Sequence, residues 1–498
     1  MLLPALLLVA SVATAAPWVA DLSEVADAGG QQSVDLWLPA GEWATVGVYE
    51  AESVEVDAPG SVMSEVLVQH MGASHTEEQV PIPYWLPPLR WRPPDQSGNP
   101  YAVRLHPTEV GDFTVGIKCQ DGTDLSVDLH ATAPVPGPDF AVGYYTAASL
   151  WTYMNWRECF EQLRDMRCNT FTVYPQVSGR AIPEGETETA ARNVAWQLDL
   201  AVEVGLIDGT QPVFIMHCNP PDIDEATKYG KHVDQWPELL GYGKDEAATN
   251  ADGESQARGM VSMFNRNGKQ YYRSGAAMSN SSILRFGDGI DIWVCLMTDL
   301  TDLIKREAAR QKKALWSYCC QLRGTNAPLN RYQSGWWAFK NRPEGMLSWT
   351  YMDSMIRPDR PVPSSVRPDG TWAPCGYYEY CLDAPDGPIS SVGAEARRDG
   401  IVDYMVLREL ERAILAAELD TDADPERVAL AREAMAWLQD NTDQVDVNFW
   451  PDDHPPFGNC VPPEPCHWDT VDMAAPALHD FSALRRQAIE YTQRLQVP

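Results

Sequence analysis

Leu239-Leu240-Gly241-Tyr242-Gly243-Lys244-Asp245-Glu246-Ala247 reads as a short buried strand that stops at two adjacent carboxylates. Such a pair suits a sugar-cleaving site, where one acid protonates the leaving oxygen and its neighbour stabilises positive charge. Asp-Glu dipeptides are also common in solvated loops, so the pair takes its meaning from its place in the chain. Successive side chains of a regular strand face opposite ways. Two neighbours can therefore meet one ligand only if the strand ends by Lys244 or a bulge re-aims one of them.

Outward from this stretch, strands and helices alternate. The strands are expected at 141–145, 170–174, 213–218, 239–244, 270–274 (the weakest), 290–295, 314–320 and 346–351. Asn155 with Glu158 forms a capping-box pattern for a helix to about 167. A second helix from about 188 has Val194, Leu198, Ala201 and Val202 on one face. Further helices fall at 254–265, 299–310 and 331–340, and a long one from 395 carries Leu407, Leu410, Ile414 and Ala417 on one stripe. Eight alternations over this length predict a (β/α)8 barrel, a fold of ~250 residues whose chemistry sits at the C-terminal ends of its strands. Those ends hold Tyr174, His217 with Asn219, Asp245-Glu246, Trp293, Trp316 with Tyr318, and Trp349 with Tyr351. The acids thus face an aromatic rim, and aromatic rings stack on the apolar faces of sugars. Trp336 and Trp337 fall on a helix and are expected to pack.

Before the barrel, short segments at 33–38, 44–49, 62–68, 101–105, 113–119 and 125–130 alternate partially between Gly, Pro and Asp turns, the pattern of a β-sandwich. The Pro- and Trp-rich piece 81–94 reads as an ordered loop packed on that sandwich. Ala133-Pro-Val-Pro-Gly-Pro138 is a natural linker. After the barrel, Asp424-Pro425 begins a helix as cap and first-turn proline, and a last helix spans 481–495. The expected fold class is α/β: a (β/α)8 TIM barrel preceded by a β-sandwich and followed by a helical extension. The boundaries are 1–16, a signal peptide; 17–135, the sandwich; 139–420, the catalytic barrel; and 421–498, the extension.

With 498 residues and 44% hydrophobic content the chain can bury a large core in two or three domains. Its net charge of −32 argues against a nucleic-acid partner, which needs basic patches. Leu2 to Ala16 is apolar and Ala13-Thr14-Ala15 offers an A-x-A cleavage pattern, although no Lys or Arg precedes the run. This predicts a secreted or periplasmic protein, and no later run is long and apolar enough to span a bilayer. In an exported chain the close pairs Cys375/Cys381 and Cys460/Cys466 could be bridged. Neither has CxxC spacing, so no metal site and no cofactor are expected.

Five blocks carry a family resemblance: Tyr242-Gly-Lys-Asp-Glu246, Ile290-Asp-Ile-Trp-Val294, Leu315-Trp-Ser-Tyr318, Gly345-Met-Leu-Ser-Trp349, and Asp386-Gly-Pro-Ile389 with Glu395-Ala-Arg-Arg-Asp-Gly-Ile-Val-Asp-Tyr404. In this order the region 140–420 resembles the catalytic part of glycoside hydrolase family 123 and the related domain-of-unknown-function family 4091. Tyr101–Pro107 followed by Gly111-Asp-Phe-Thr-Val115 resembles the Ig-like domain often found ahead of glycosidase barrels. The resemblance implies a β-N-acetylgalactosaminidase using substrate-assisted catalysis. Glu246 would be the general acid/base, and Asp245 would orient the substrate's 2-acetamido group as its oxygen attacks the anomeric carbon. Ala247 departs from the usual Pro of relatives. The block Arg398-Asp399-Gly400 with Asp403-Tyr404 reads as helix framing. Tyr174, His217, Asn219, Trp293, Trp316, Tyr318, Trp349 and Tyr351 are the expected glycan-binding residues.

One absence supports this mechanism independently. A retaining glycosidase with its own nucleophile needs a second carboxylate ~5 Å from the acid, by fold analogy commonly at the end of strand seven. The segment 314–320 contains no Asp or Glu. Asp353, beyond strand eight, is the rival nucleophile. A non-catalytic, glycan-binding barrel is the alternative from another class.

Overall fold

A computed structural model of the chain describes residues 16–22, 31–73, 81–86, 101–146, 155–175, 189–217, 220–242, 272–278, 287–319, 327–348, 388–422, 424–445 and 480–496, with isolated positions including Tyr351 and Cys381. Residues 1–15 of the expected signal segment 1–16 and most of the expected helix 254–265 lie outside these residues.

The N-terminal part is a two-sheet sandwich. One sheet has the order β1 (Trp18–Asp21), β3 (Ala44–Tyr49), β7 (Tyr101–Pro107), β5 (Val62–Ala73), β6 (Pro81–Leu86). The other has the order β2 (Ser33–Pro39), β9 (Asp124–Thr132), β8 (Gly111–Cys119), β4 (Val54–Asp57). Alternate residues such as Val46, Val103, Leu105, Val115, Ile117, Val127 and Leu129 are fully buried between the sheets, as period-2 patterning requires. Pro81–Leu86 is an edge strand paired antiparallel with β5, where a loop was expected. Edge strands tolerate the two prolines of this segment because one side of the strand forms no ladder.

Eight parallel strands follow: β10 (Ala141–Tyr144), β11 (Thr172–Val173), β12 (Val213–Met216), β13 (Leu239–Tyr242), β14 (Ser274–Met278), β15 (Ile292–Leu296), β16 (Ala314–Cys319) and β17 (Gly345–Ser348). They neighbour one another in chain order, and β10 pairs with β17. The remaining gap, between β10 and β11, is bridged by the Asn169 and Thr170 amides donating to Val142 O and by the Thr146 amide donating to Thr172 Oγ1. The result is a nearly closed (β/α)8 barrel.

The fifth strand lies later than expected, at Ser274–Met278. Its small residues carry no strong strand signal, and the packing explains them. A Cβ on Gly275 would sit 2.3 Å from the Phe214 ring, and one on Gly345 would sit 2.1 Å from Trp316. Phe214 and Trp316 meet edge to face inside the barrel, with centroids 4.8 Å apart, and only glycine opposite leaves room for them.

Among the helices, α1 (Trp156–Asp165) starts at Asn155, whose side chain makes no capping bond, so the expected capping box does not form. By contrast α2 (Ala190–Glu203) is capped by Thr189, and α4 (Asp302–Gln311) by Thr301. Between them lies the short α3 (Pro220–Ala226). The segment α5 (Ala327–Tyr332) continues through a π turn, Gln333–Trp337, into α6 (Ala338–Asn341), and buries Trp336 and Trp337. The long α7 (Val392–Leu419) is capped by Ser391, and α8 (Pro425–Asp443) by Asp424 with Pro425 in its first turn. With α9 (Phe481–Gln496) these helices share one apolar core with the outer faces of β15 and β17.

A buried ionic network joins sandwich, barrel and last helix. Arg331 reaches Asp21 at 3.0 Å and Asp403 at 2.7 Å, while Arg485 also binds Asp403. Glu395 takes Arg104 at 2.6 Å and Arg398 at 2.7 Å, and accepts from Thr45 and Ser390. Burial pushes the Glu395 carboxyl up, but Arg104 and Arg398 outweigh it and hold the group at about 2. At Asp399 burial wins over Arg398, Arg485 and Arg331, and its carboxyl rises to about 6. The Arg-Asp-Gly block thus lies inside an interdomain lock.

Cys381 is buried and free, so the bridge to Cys375 considered above is not formed; Cys375, Cys460 and Cys466 lie outside the described residues. Among the described residues no helix is long and apolar enough to cross a membrane, and no His/Cys/Asp/Glu group could hold a metal ion.

Candidate active site

Alternation along the strands decides which side chains can reach a ligand. The barrel interior takes Ala141 and Tyr145, Phe214 and Met216, Leu240 and Tyr242, Ala277, Ile292 and Val294, Ala314 and Trp316, and Leu347, with Tyr174 and Tyr318 partly buried against them. At the C-terminal mouth this leaves Tyr145, Tyr174, Tyr242 and Tyr318. The hydroxyls of Tyr145 and Tyr242 lie 3.1 Å apart, and their rings meet edge on. Tyr242 is the last described residue of β13, three residues before Asp245 in the chain. Asp245, Glu246, Asn219 and Trp349 lie outside the described residues, as does Asp353.

His217 follows β12 in the left-handed region, at φ 51°, exposed, with its ring 6.2 Å from that of Tyr174. A non-glycine residue held there costs energy, and such positions cluster at functional sites. Tyr174, His217 and Tyr318 therefore gather at the mouth. Trp316 does not line the rim. It is 2% exposed and one interior layer deeper, supporting the mouth through Phe214.

Two expected wall residues face the other way. Trp293 lies out of phase with the interior residues Ile292 and Val294, so it packs among the outer helices with its Nε1 donating to Gly287 O at 3.0 Å. Tyr351 passes its backbone amide to Tyr145 O at 2.9 Å, but its hydroxyl turns outward to Gln162 Oε1 at 2.6 Å. Burial pushes that phenol well above its usual range. Both are packing residues. Strand-end position alone misplaced them because it ignored which face each residue takes. The same alternation, extended from Ala141 through Gly143, would have placed Tyr145 in the mouth.

A separate cleft of about 500 Å³ is lined by Trp236, Leu239, Tyr272 and Arg273 among others. It opens at the N-terminal ends of β13 and β14, the face opposite the mouth, where barrel conservation of function is not expected.

No family model matches the chain, and no curated protein matches it. Among solved structures, a family 123 glycoside hydrolase from Clostridium perfringens, described for glycolipid glycan hydrolysis, superposes with a TM-score of 0.58 at 10% identity, over 96% of this chain and 99% of that one. A family 5 xyloglucanase from Bacteroides ovatus matches with a TM-score of 0.29 at 9% identity, over 78% of this chain and 100% of that one. The chain shares the sandwich-plus-barrel fold of the family 123 enzyme over nearly its whole length.

Proposed function

We propose that the protein is a secreted glycoside hydrolase, an exo-β-N-acetylgalactosaminidase that retains configuration by substrate assistance. The observation that carries this reading is the position of Tyr242 on β13. Tyr242 lines the barrel interior at the C-terminal end of its strand, and Asp245 and Glu246 follow it three and four residues later in the chain. The fold likeness to a family 123 enzyme supports the class. β16, Ala-Leu-Trp-Ser-Tyr-Cys, offers no carboxylate, which supports a nucleophile brought by the substrate. Glu246 protonates the leaving oxygen. The acetamido oxygen attacks the anomeric carbon, and the nitrogen of the resulting oxazolinium ion gains positive charge. The fixed Asp245 carboxylate favours that charge. Glu246 then takes a proton from the water that opens the ring. Tyr174, Tyr318, Asn219 and Trp349 complete the glycan contacts, and the apolar N-terminal run exports the chain.

Asp245→Asn removes the charge and little volume. Steady-state kinetics on an aryl β-N-acetylgalactosaminide should give a lower kcat with KM nearly unchanged, the mark of an interaction made in the transition state. A raised KM at parental kcat would contradict the assignment.

A further inference from the structure

Arg397, in the second turn of α7, is 1% exposed, and its guanidinium lies outside the seam where the first and last barrel strands pair. One terminal nitrogen donates to Ser348 Oγ, the other to Gly143 O at 3.0 Å, and the group sits 4.6 Å from the Tyr144 ring centroid. Its Nε has no partner. Its neighbour Arg398 is matched by Glu395 and Asp399, whereas no carboxylate pairs with Arg397 among the described residues. A buried cation without a counter-ion is costly, so the position calls for a reason beyond packing.

The contacts supply one. Gly143 and Ser348 lie on the last two rungs of the β10–β17 ladder, Gly143 opposite Leu347 and Ser348 opposite Tyr144, just below the mouth. The Tyr145 amide donates to Ser348 O at 3.0 Å, and the Tyr145 hydroxyl meets that of Tyr242. Tyr242 precedes the acid pair. We propose that Arg397 is a positioning residue for the glycan site. By clamping Gly143 and Ser348 it fixes the Tyr145–Tyr242 hydroxyl pair at the mouth, three residues before Asp245 in the chain. Arginine suits this task because its planar fork bridges two acceptors while lying on an aromatic ring; the single ammonium of lysine cannot.

The kinetic part of this inference rests on the proposed glycosidase activity, so the test has a second readout. The protein is labelled with tyrosine carrying ¹³C at Cζ, and the Tyr145 and Tyr242 signals are assigned by replacement with Phe. In Arg397→Lys both signals should move, while those of Tyr101 and Tyr491, remote from the mouth, stay in place. On an aryl β-N-acetylgalactosaminide, kcat should fall roughly ten- to a hundredfold, as small displacements of reacting groups do, with KM within about twofold. Arg397→Lys combined with Tyr145→Phe should be no slower than Tyr145→Phe alone, since both act through one contact. Ser348→Ala, which removes one acceptor only, should move the same two signals if the lysine variant does not fold. Unmoved tyrosine signals, or kinetic losses that multiply, overturn the inference. A parent enzyme that cleaves no glycoside overturns the activity instead, and the tyrosine signals still decide the role of Arg397.

Discussion

Glu246→Gln loses ~10²–10⁴-fold of its turnover on a natural glycan, the usual worth of a general acid. The loss depends on the leaving group. A sugar hydroxyl leaves poorly without a proton, so removing the acid exposes the whole barrier to bond cleavage. A dinitrophenolate leaves unaided, so the glycosylation step of an activated aryl glycoside should be slowed far less. The expected pattern is therefore a steep dependence on leaving-group pKa in the variant and a shallow one in the parent. Rates across a series of aryl glycosides measure both slopes. Equal slopes, or parental turnover of the variant on a natural glycan, would remove Glu246 from the role of acid.

The second large effect is on stability and tests the interdomain lock. Glu395→Gln takes from Arg104 and Arg398 the buried carboxylate they share, leaving Arg104 only Glu65 and Arg398 only Asp399, and should destabilise the fold by about 3 kcal/mol at neutral pH. The pH window follows from the shift. Glu395 titrates at about 2, below its ordinary 4.5, so its contribution is complete above pH 4.5 and is lost as pH falls towards 2. Asp399 has the opposite sign. Its carboxyl titrates at about 6, above the ordinary 3.8, so the ionised form disfavours folding above pH 6, and protonation between 6 and 3.8 recovers stability. Asp399→Asn should accordingly lie within about 1 kcal/mol of the parent at pH 7, since it removes a disfavoured buried charge. Urea unfolding of both variants at pH 7 and pH 5 measures the contrast. Equal destabilisation by the two substitutions would contradict this account of the network.

The barrel was legible because its strands are apolar runs between turn residues, and seven of the eight begin within about two residues of expectation. Ser274–Met278 was not, because the interior demands small residues opposite Phe214, and small residues carry no strand signal. The sandwich strands Trp18–Asp21 and Val54–Asp57 are four residues each, too short to alternate visibly. The site was legible in part. Residues at strand ends were found, but Trp293 and Tyr351 face the helices, and Tyr145 was overlooked. Side-chain phase follows from strand register, which a run of apolar residues leaves open. The role of Arg397 was hidden for another reason: its partners, Gly143 and Ser348, are 254 and 49 residues away in the chain.

Substrate assistance is tested most directly by following, by proton NMR, the hydrolysis of matched aryl β-glycosides of N-acetylgalactosamine and galactose. The acetamido sugar should be cleaved far faster, and its first product should be the β anomer, because attack by the substrate's own amide oxygen and then by water inverts the anomeric carbon twice. Cleavage of the β-galactoside at a comparable rate, or first appearance of the α anomer, would contradict the mechanism and move attention to Asp353.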